Sequence, residues 1–164
     1  MNPETCPVPI QMKLPSSEWR TIDPREISLD DVAMLAVRNA EDGAFVPVLI
    51  VEGEVFLGDP DVESIADQCV RSISENYDHA SVAKRRTTGT ENSTSLLQLI
   101  EIGEKRGGRR FDLQQVQVIQ VVQDLVDTNR KFVLSCSIIG EFKHAHELSD
   151  EFAEFVESVV LVPG

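Results

Sequence analysis

The sequence reads as an α+β domain, an antiparallel sheet flanked by helices, on three grounds. Four strand-length apolar runs follow one another between residues 81 and 142, two more flank Glu41-Asp42-Gly43, and two other stretches repeat apolar residues at the three-and-four spacing of a helix. At 164 residues and 41% apolar content, the chain suits one domain with one buried core. Residues 1–9 read as an N-terminal extension and 10–164 as the single domain.

In chain order, residues 8–14 form a candidate strand stopped by Pro15, Ser16 and Ser17 ahead of Trp19. Residues 20–31 alternate poorly and carry Pro24, so an irregular connection is expected there. Residues 34–38 and 45–52 read as a β-hairpin whose turn holds Gly43, a residue free to take positive φ. Pro47 cannot donate to a ladder, which predicts an edge or bulged strand. Asp59 as cap and Pro60 at the first helical position open a helix with Val62, Ile65, Ala66, Cys69, Val70 and Ile73 on its buried face. Its polar face carries Glu63, Asp67, Gln68, Arg71 and Glu75.

Residues 81–88, 95–101, 111–122 and 132–142 then read as a meander, with breakers at 89–94, 106–110 and 124–130. In the last run Phe132, Leu134, Cys136 and Ile138 share one face and Val133, Ser135, Ser137 and Ile139 the other, so both faces are at least partly covered. Gln114, Gln115, Gln117, Gln120 and Gln123 punctuate the third run and suggest a polar face wide enough to touch something. A closing helix is expected from Ser149 as N-cap, with Phe152, Phe155, Val156 and Val159 turned inward.

Charge excludes one class of partner. Lys plus Arg number 15 against 28 Asp plus Glu, a net charge of −13, and a surface that releases counterions from nucleic acid needs clustered positive charge instead. The imbalance is uneven: residues 1–78 hold 5 basic and 16 acidic side chains, residues 79–164 hold 10 and 12. The acidic half is expected to steer the molecule toward a basic partner. No stretch approaches ~18 apolar residues, and the first seven residues lack a basic and apolar leader, so a cytoplasmic protein without membrane insertion is expected. Cys6, Cys69 and Cys136 are odd in number and far apart, which fits neither a disulfide framework nor a zinc site.

Several local phrases carry a resemblance. They are Met12-Lys13-Leu14-Pro15 leading to Trp19-Arg20, Phe45-Val46-Pro47-Val48-Leu49-Ile50-Val51, Val62-Glu63-Ser64-Ile65-Ala66-Asp67, Asp112-Leu113-Gln114-Gln115-Val116-Gln117-Val118, and Phe152-Ala153-Glu154-Phe155-Val156-Glu157-Ser158-Val159. Together they resemble the PsbP-like α/β/α sandwiches, and among them the bacterial LpqN-like branch, over residues 10–162. The phrases are packing phrases, not an active-site signature. The resemblance implies a non-enzymatic scaffold or binding module, since such relatives include a photosystem assembly protein, a Ran-binding factor, envelope lipoproteins and secretion-effector chaperones. The chain departs from the lipoproteins at Cys6, which lacks a preceding apolar signal, and has Pro15-Ser16-Ser17-Glu18-Trp19 where a tighter turn is usual.

Candidate chemistry is thin. His144 and His146, if extended, would project to one side with Glu141 or Glu147 nearby, but two imidazoles without a third ligand argue against a metal site. Ser81-Val82-Ala83-Lys84 matches an S-x-x-K motif that works at a helix start; in a strand the two residues should face opposite sides. Thr87-Thr88-Gly89-Thr90 lacks a phosphate-loop lysine, and Asn92-Ser93-Thr94 reads as a polar turn. No catalytic, cofactor-binding or metal residue is assigned, and no cofactor is expected.

The candidate binding surface is Trp19, Lys105, Arg106, Arg109, Arg110, Gln115 and Gln117. Lys105-Arg106-Gly107-Gly108-Arg109-Arg110 could be an RGG-like contact, a hairpin with solvated cations, or a contact for an anionic protein. Trp19, the single tryptophan, either closes one end of the core or stands out as a hot spot, and the glutamines either satisfy buried backbone or line a groove. The expected function is a non-enzymatic cytosolic protein-binding module, a chaperone, adaptor or immunity-type partner. The alternative is a small-molecule carrier with a cavity between sheet and helices. Homodimerisation is a subsidiary expectation, because an edge strand must be protected or paired.

Overall fold

Backbone pairing organises the molecule before any helix is considered. The computed structural model describes residues 10–23, 32–90, 93–123, 127 and 129–161. In these residues the strands are β1 (Ile10–Gln11), β2 (Trp19–Ile22), β3 (Val32–Arg38), β4 (Val48–Leu57), β5 (His79–Thr90), β6 (Ser93–Arg106), β7 (Arg109–Gln123), β8 (Arg130–Glu141) and β9 (Val160–Leu161). Helix α1 is Val62–Asn76 and α2 is Ala145–Ser158, the latter entered through a 3-10 turn at Phe142–His144. Seven strands make one antiparallel sheet in the order β2-β3-β4-β8-β7-β6-β5, and β1 pairs with β9 apart from it. The meander β5 to β8 is as expected, and β8 then lies beside β4, which joins the two halves of the chain.

The alternation of side chains across β8 produces three layers. Phe132, Leu134, Cys136 and Ile138 meet Leu148, Phe152 and Phe155 of α2, together with Trp19, Met34, Leu49 and Val51. Val133 and Ile139 point the other way, where α1 brings Val62 and Ala66 onto Leu96, Ile119 and Val121, and Val70 and Ile73 onto Ile100, Ile102 and Leu113. Each large apolar side chain buried in this way contributes about 1.5–3 kcal/mol. No described helix is long and apolar enough to cross a membrane.

Several boundaries differ from expectation, each for a physical reason. Residues 19–22 are a strand, not an irregular connection: Trp19 to Ile22 pair in register with Arg38 to Leu35, and an edge ladder needs backbone partners more than alternation. Residues 24–31 lie outside the described residues, as do residues 1–9 and the Asn92 turn position. β4 is interior, between β3 and β8, and starts after Pro47, whose carbonyl accepts from Arg38 N at 3.0 Å; Phe45 is tucked into the core instead of pairing. The α1 cap is Asp61, not Asp59: its Oδ1 accepts from Glu63 N at 3.1 Å and its Oδ2 from Ser64 Oγ at 2.9 Å. α2 starts one turn before Ser149, because Leu148 packs over Gly140, where a Cβ would collide with its Cδ1. The thiols of Cys69 and Cys136 lie on opposite sides of the sheet and are free.

Candidate functional site

Residues directly opposed in register share a sheet face, and this rule sorts the expected surface into three places. Trp19 is 4% exposed. Its Nε1 donates to Glu151 Oε2 at 2.8 Å, and Arg38 beside it reaches Glu147 at 2.8 Å and Glu151 at 3.3 Å, so the tryptophan fastens α2 to the end of the core and presents no surface.

Gln117, at 3% exposure, lies under α1 in a buried polar chain. Arg85 Nε and Nη2 donate to Gln98 Oε1 at 3.1 and 2.8 Å, Gln98 Nε2 donates to Gln117 Oε1 at 2.6 Å, and Gln117 Nε2 donates to Ser135 Oγ at 3.0 Å and Cys69 Sγ at 3.4 Å. Arg85 Nη1 closes the chain at Asp67, 2.7 Å away. Gln98 is the member that sequence reading missed, since a single glutamine in β6 is not a pattern. Gln115 shares the α1 side, half-buried and opposite Ile100 and Ile139. The Cys69 thiol is pushed up by burial, only partly offset by the Gln117 amide, with Glu52 adding to the rise, so it is no thiolate nucleophile.

The basic hairpin is the part that reaches solvent. Gly107 and Gly108, at φ +57° and +78°, form a two-residue turn between Arg106 and Arg109. Its cations divide by face. Arg106 and Arg109 lie over the rings of Phe45 and Phe111 at 5.2 and 4.8 Å, the rings themselves 6.2 Å apart, and Arg109 Nη1 donates to the Gly43 carbonyl. These two pin the 39–47 connection to the sheet. Tertiary contact thus supplies Phe45, while Phe111 comes from the second strand of the hairpin itself. Tyr77 packs nearby, its hydroxyl pushed up by burial, which outweighs Arg106.

Lys105 and Arg110 pair with each other in register and face the α2 side, as do Gly103 and Asp112 in the next row. There Arg110 lines a cleft of about 300 Å³ together with His79, Glu101, Gly103, Asp112 and Phe142 among others. Phe142, 55% exposed, stands over it from the 3-10 turn. Arg110 Nε touches Asp112 at 3.3 Å, an exposed pair worth little. Glu141, next to Phe142, is buried, with Oε1 3.8 Å from Lys143 Nζ and Oε2 without a hydrogen-bond partner. Such an orphaned acceptor costs about 1–3 kcal/mol.

Two further motifs change on folding. The bulge at Val82/Lys84 places Ser81 opposite Glu101 and Lys84 opposite Leu99, so the two share a face, contrary to the alternation expected. They still sit mid-strand, away from any helix start. His144 and His146 are not extended: His144 occupies the N-cap position of α2 without a side-chain capping bond and His146 is exposed on the helix, 3.7 Å from Asp150, and among the described residues no three His, Cys, Asp or Glu converge as metal ligands.

No protein-family model matches the chain, and no curated protein matches it. Among solved structures it is similar to LpqN of Mycobacterium tuberculosis, a protein involved in cell envelope biogenesis: TM-score 0.62, 14% identity, covering 96% of this chain and 86% of that one. PA94 of Pseudomonas aeruginosa, a protein of unknown function, gives TM-score 0.56 and 13% identity over 90% of this chain and 100% of that one. Cyanobacterial PsbP of Synechocystis gives TM-score 0.46 and 7% identity over 89% and 83%. The chain has the α+β sandwich fold of the LpqN-like structures, as the sequence phrases implied.

Proposed function

We propose that this chain is a non-enzymatic, cytoplasmic protein-binding module, a chaperone, adaptor or immunity-type partner, that recognises another protein without covalent chemistry. The observation that carries the reading is Phe142: a large aromatic side chain more than half exposed, lining a cleft together with Arg110. Exposed aromatics and arginines around a concave centre are what protein interfaces concentrate. The neighbouring buried Glu141 costs stability in the same turn, as residues kept for a task other than folding often do.

A small-molecule carrier with its cavity between sheet and helices is less supported. Ala66, Leu96, Ile100, Ile119 and Phe155 fill those interfaces with no accessible surface, and the cleft opens outside them. Nucleic acid is disfavoured by the net charge of −13 and by the engagement of Arg106 and Arg109 with aromatic rings. The long edge strand β5 is guarded against pairing with a second copy by its bulge and by exposed Lys84 and Arg86.

Affinity capture from the native cell tests the reading, using the wild type, a Phe142→Ser/Arg110→Ala variant and an Arg71→Ala control on the outer face of α1. A stoichiometric protein retained by wild type and control and lost from the double variant is expected. Equal recovery by all three would overturn it.

A further inference from the structure

The cleft under Phe142 is one end of a longer open face. We propose that the α2 side of β5–β7 is a groove for an acidic amphipathic helix of a partner protein. The proposal rests on the protein-binding reading above and adds the partner's chemistry.

Registered rows define the groove. Lys84 lies opposite Leu99 and Leu99 opposite Val116; Arg86 lies opposite Leu97 and Leu97 opposite Val118. Leu97, Leu99 and Val118 are half-buried at the margin of the core that α2 covers, and α2 itself sits chiefly on β8. One row therefore runs from buried Val116 through half-buried Leu99 to Lys84, and the other from half-buried Val118 and Leu97 to Arg86, each ending in a cation on the rim. From Gly103 to Ser95 the floor spans about 27 Å at ~3.4 Å per residue, the length of a helix of about 18 residues.

Charge selects the occupant. Among the described residues no carboxylate lies within ion-pair distance of Lys84 or Arg86, although the chain carries a net charge of −13. Arg85, between them in sequence, points to the other face and is matched there by Asp67 at 2.7 Å and Glu63 at 3.6 Å. The two rim cations, two strand residues apart, are separated by about 6.8 Å, close to the ~6 Å rise between helix positions i and i+4. Two carboxylates one helical turn apart can meet both while leucines on the adjoining face cover Leu97, Leu99 and Val118. Glu101, exposed one row toward the hairpin, fixes the polarity: the segment is acidic over Lys84 and Arg86 and neutral or basic over Glu101. A strand added to the β5 edge is disfavoured by the bulge, which is why the occupant is a helix.

The probe is a fluorescein-labelled 18-residue helical peptide with a leucine face and two glutamates one turn apart, compared by anisotropy with the same peptide carrying lysines there. The wild type is expected to hold the acidic peptide about ten-fold more tightly, less so at high salt, and the K84E/R86E variant to reverse the preference. Both substitutions are on exposed side chains, and an unchanged thermal melt establishes that the variant is folded. Equal affinity for the two peptides, a preference untouched by K84E/R86E, or self-association abolished by K84E/R86E would each overturn the proposal. A native partner that depends on Phe142 and Arg110, together with no acidic preference, would sink this inference alone. Acidic preference with a partner indifferent to Phe142 and Arg110 would sink the cleft reading and leave this one standing.

Discussion

Gln98→Leu probes how the sheet is held under α1. Gln98 has no accessible surface, accepts twice from Arg85, and donates to Gln117 Oε1 at 2.6 Å and to the Ala66 carbonyl at 3.4 Å. Leucine nearly matches its volume, so little cavity opens and the cost falls on the abandoned partners. Gln117 Oε1 loses its donor where water does not reach, which costs about 1–3 kcal/mol. Arg85 keeps Asp67 and an 18% exposed side chain, so its loss is smaller, about 1 kcal/mol. The leucine returns about 1 kcal/mol through apolar burial. The balance is a destabilisation of about 2 kcal/mol, which at a urea m-value of about 2 kcal/mol/M lowers the unfolding midpoint by about 1 M. In Gln98→Leu/Gln117→Leu the orphaned acceptor is gone, so the double variant should be more stable than the sum of the singles by about 1 kcal/mol or more. Additive singles, or a midpoint within about 0.3 M of wild type, would refute the network.

Other outcomes follow from single contacts. Trp19→Phe removes the indole bond to Glu151 and should cost about 2 kcal/mol in urea unfolding, while wild-type Trp19 fluorescence should be blue-shifted and resist acrylamide; red emission would refute its burial. Gly140→Ala should lower stability by about 1–3 kcal/mol through collision with Leu148, and Leu148→Ala added to it should cost less than in the wild type, read from thermal melts. Glu141→Gln should leave stability unchanged or raise it by about 1 kcal/mol, because a neutral amide costs less to bury than a carboxylate with an unpartnered oxygen; a lower melting temperature would contradict this. The Cys136 thiol, pushed up to about 12 by burial from 9.0, keeps its proton in the folded state while the unfolded thiol ionises. Stability should therefore fall as pH rises from 9 toward 12, with a contribution of about 1.4 kcal/mol per pH unit that Cys136→Val removes.

What could be read before folding divides along physical lines. The meander, the α1 face and the Phe152/Phe155 stripe were legible because each is a local period. β2 was not, since its ladder with β3 depends on backbone groups that carry no pattern. The start of α2 was hidden because it depends on the fit of Leu148 over Gly140, a contact between elements. Glutamines in β7 stood out as polar punctuation, but whether Gln117 faced solvent or Gln98 required the β6–β7 register. The hairpin cations were visible as a run; that Arg106 and Arg109 serve Phe45 and Phe111 while Lys105 and Arg110 turn toward Phe142 emerges only when pairing assigns faces.

Amide hydrogen exchange of the protein, alone and with the partner it captures, shows which face of the sheet the partner covers. New protection is expected at the 3-10 turn around Phe142 and along residues 103–112, with the outer face of α1 unchanged. Protection confined to α1, or none anywhere on the Phe142 side of the sheet, would contradict it.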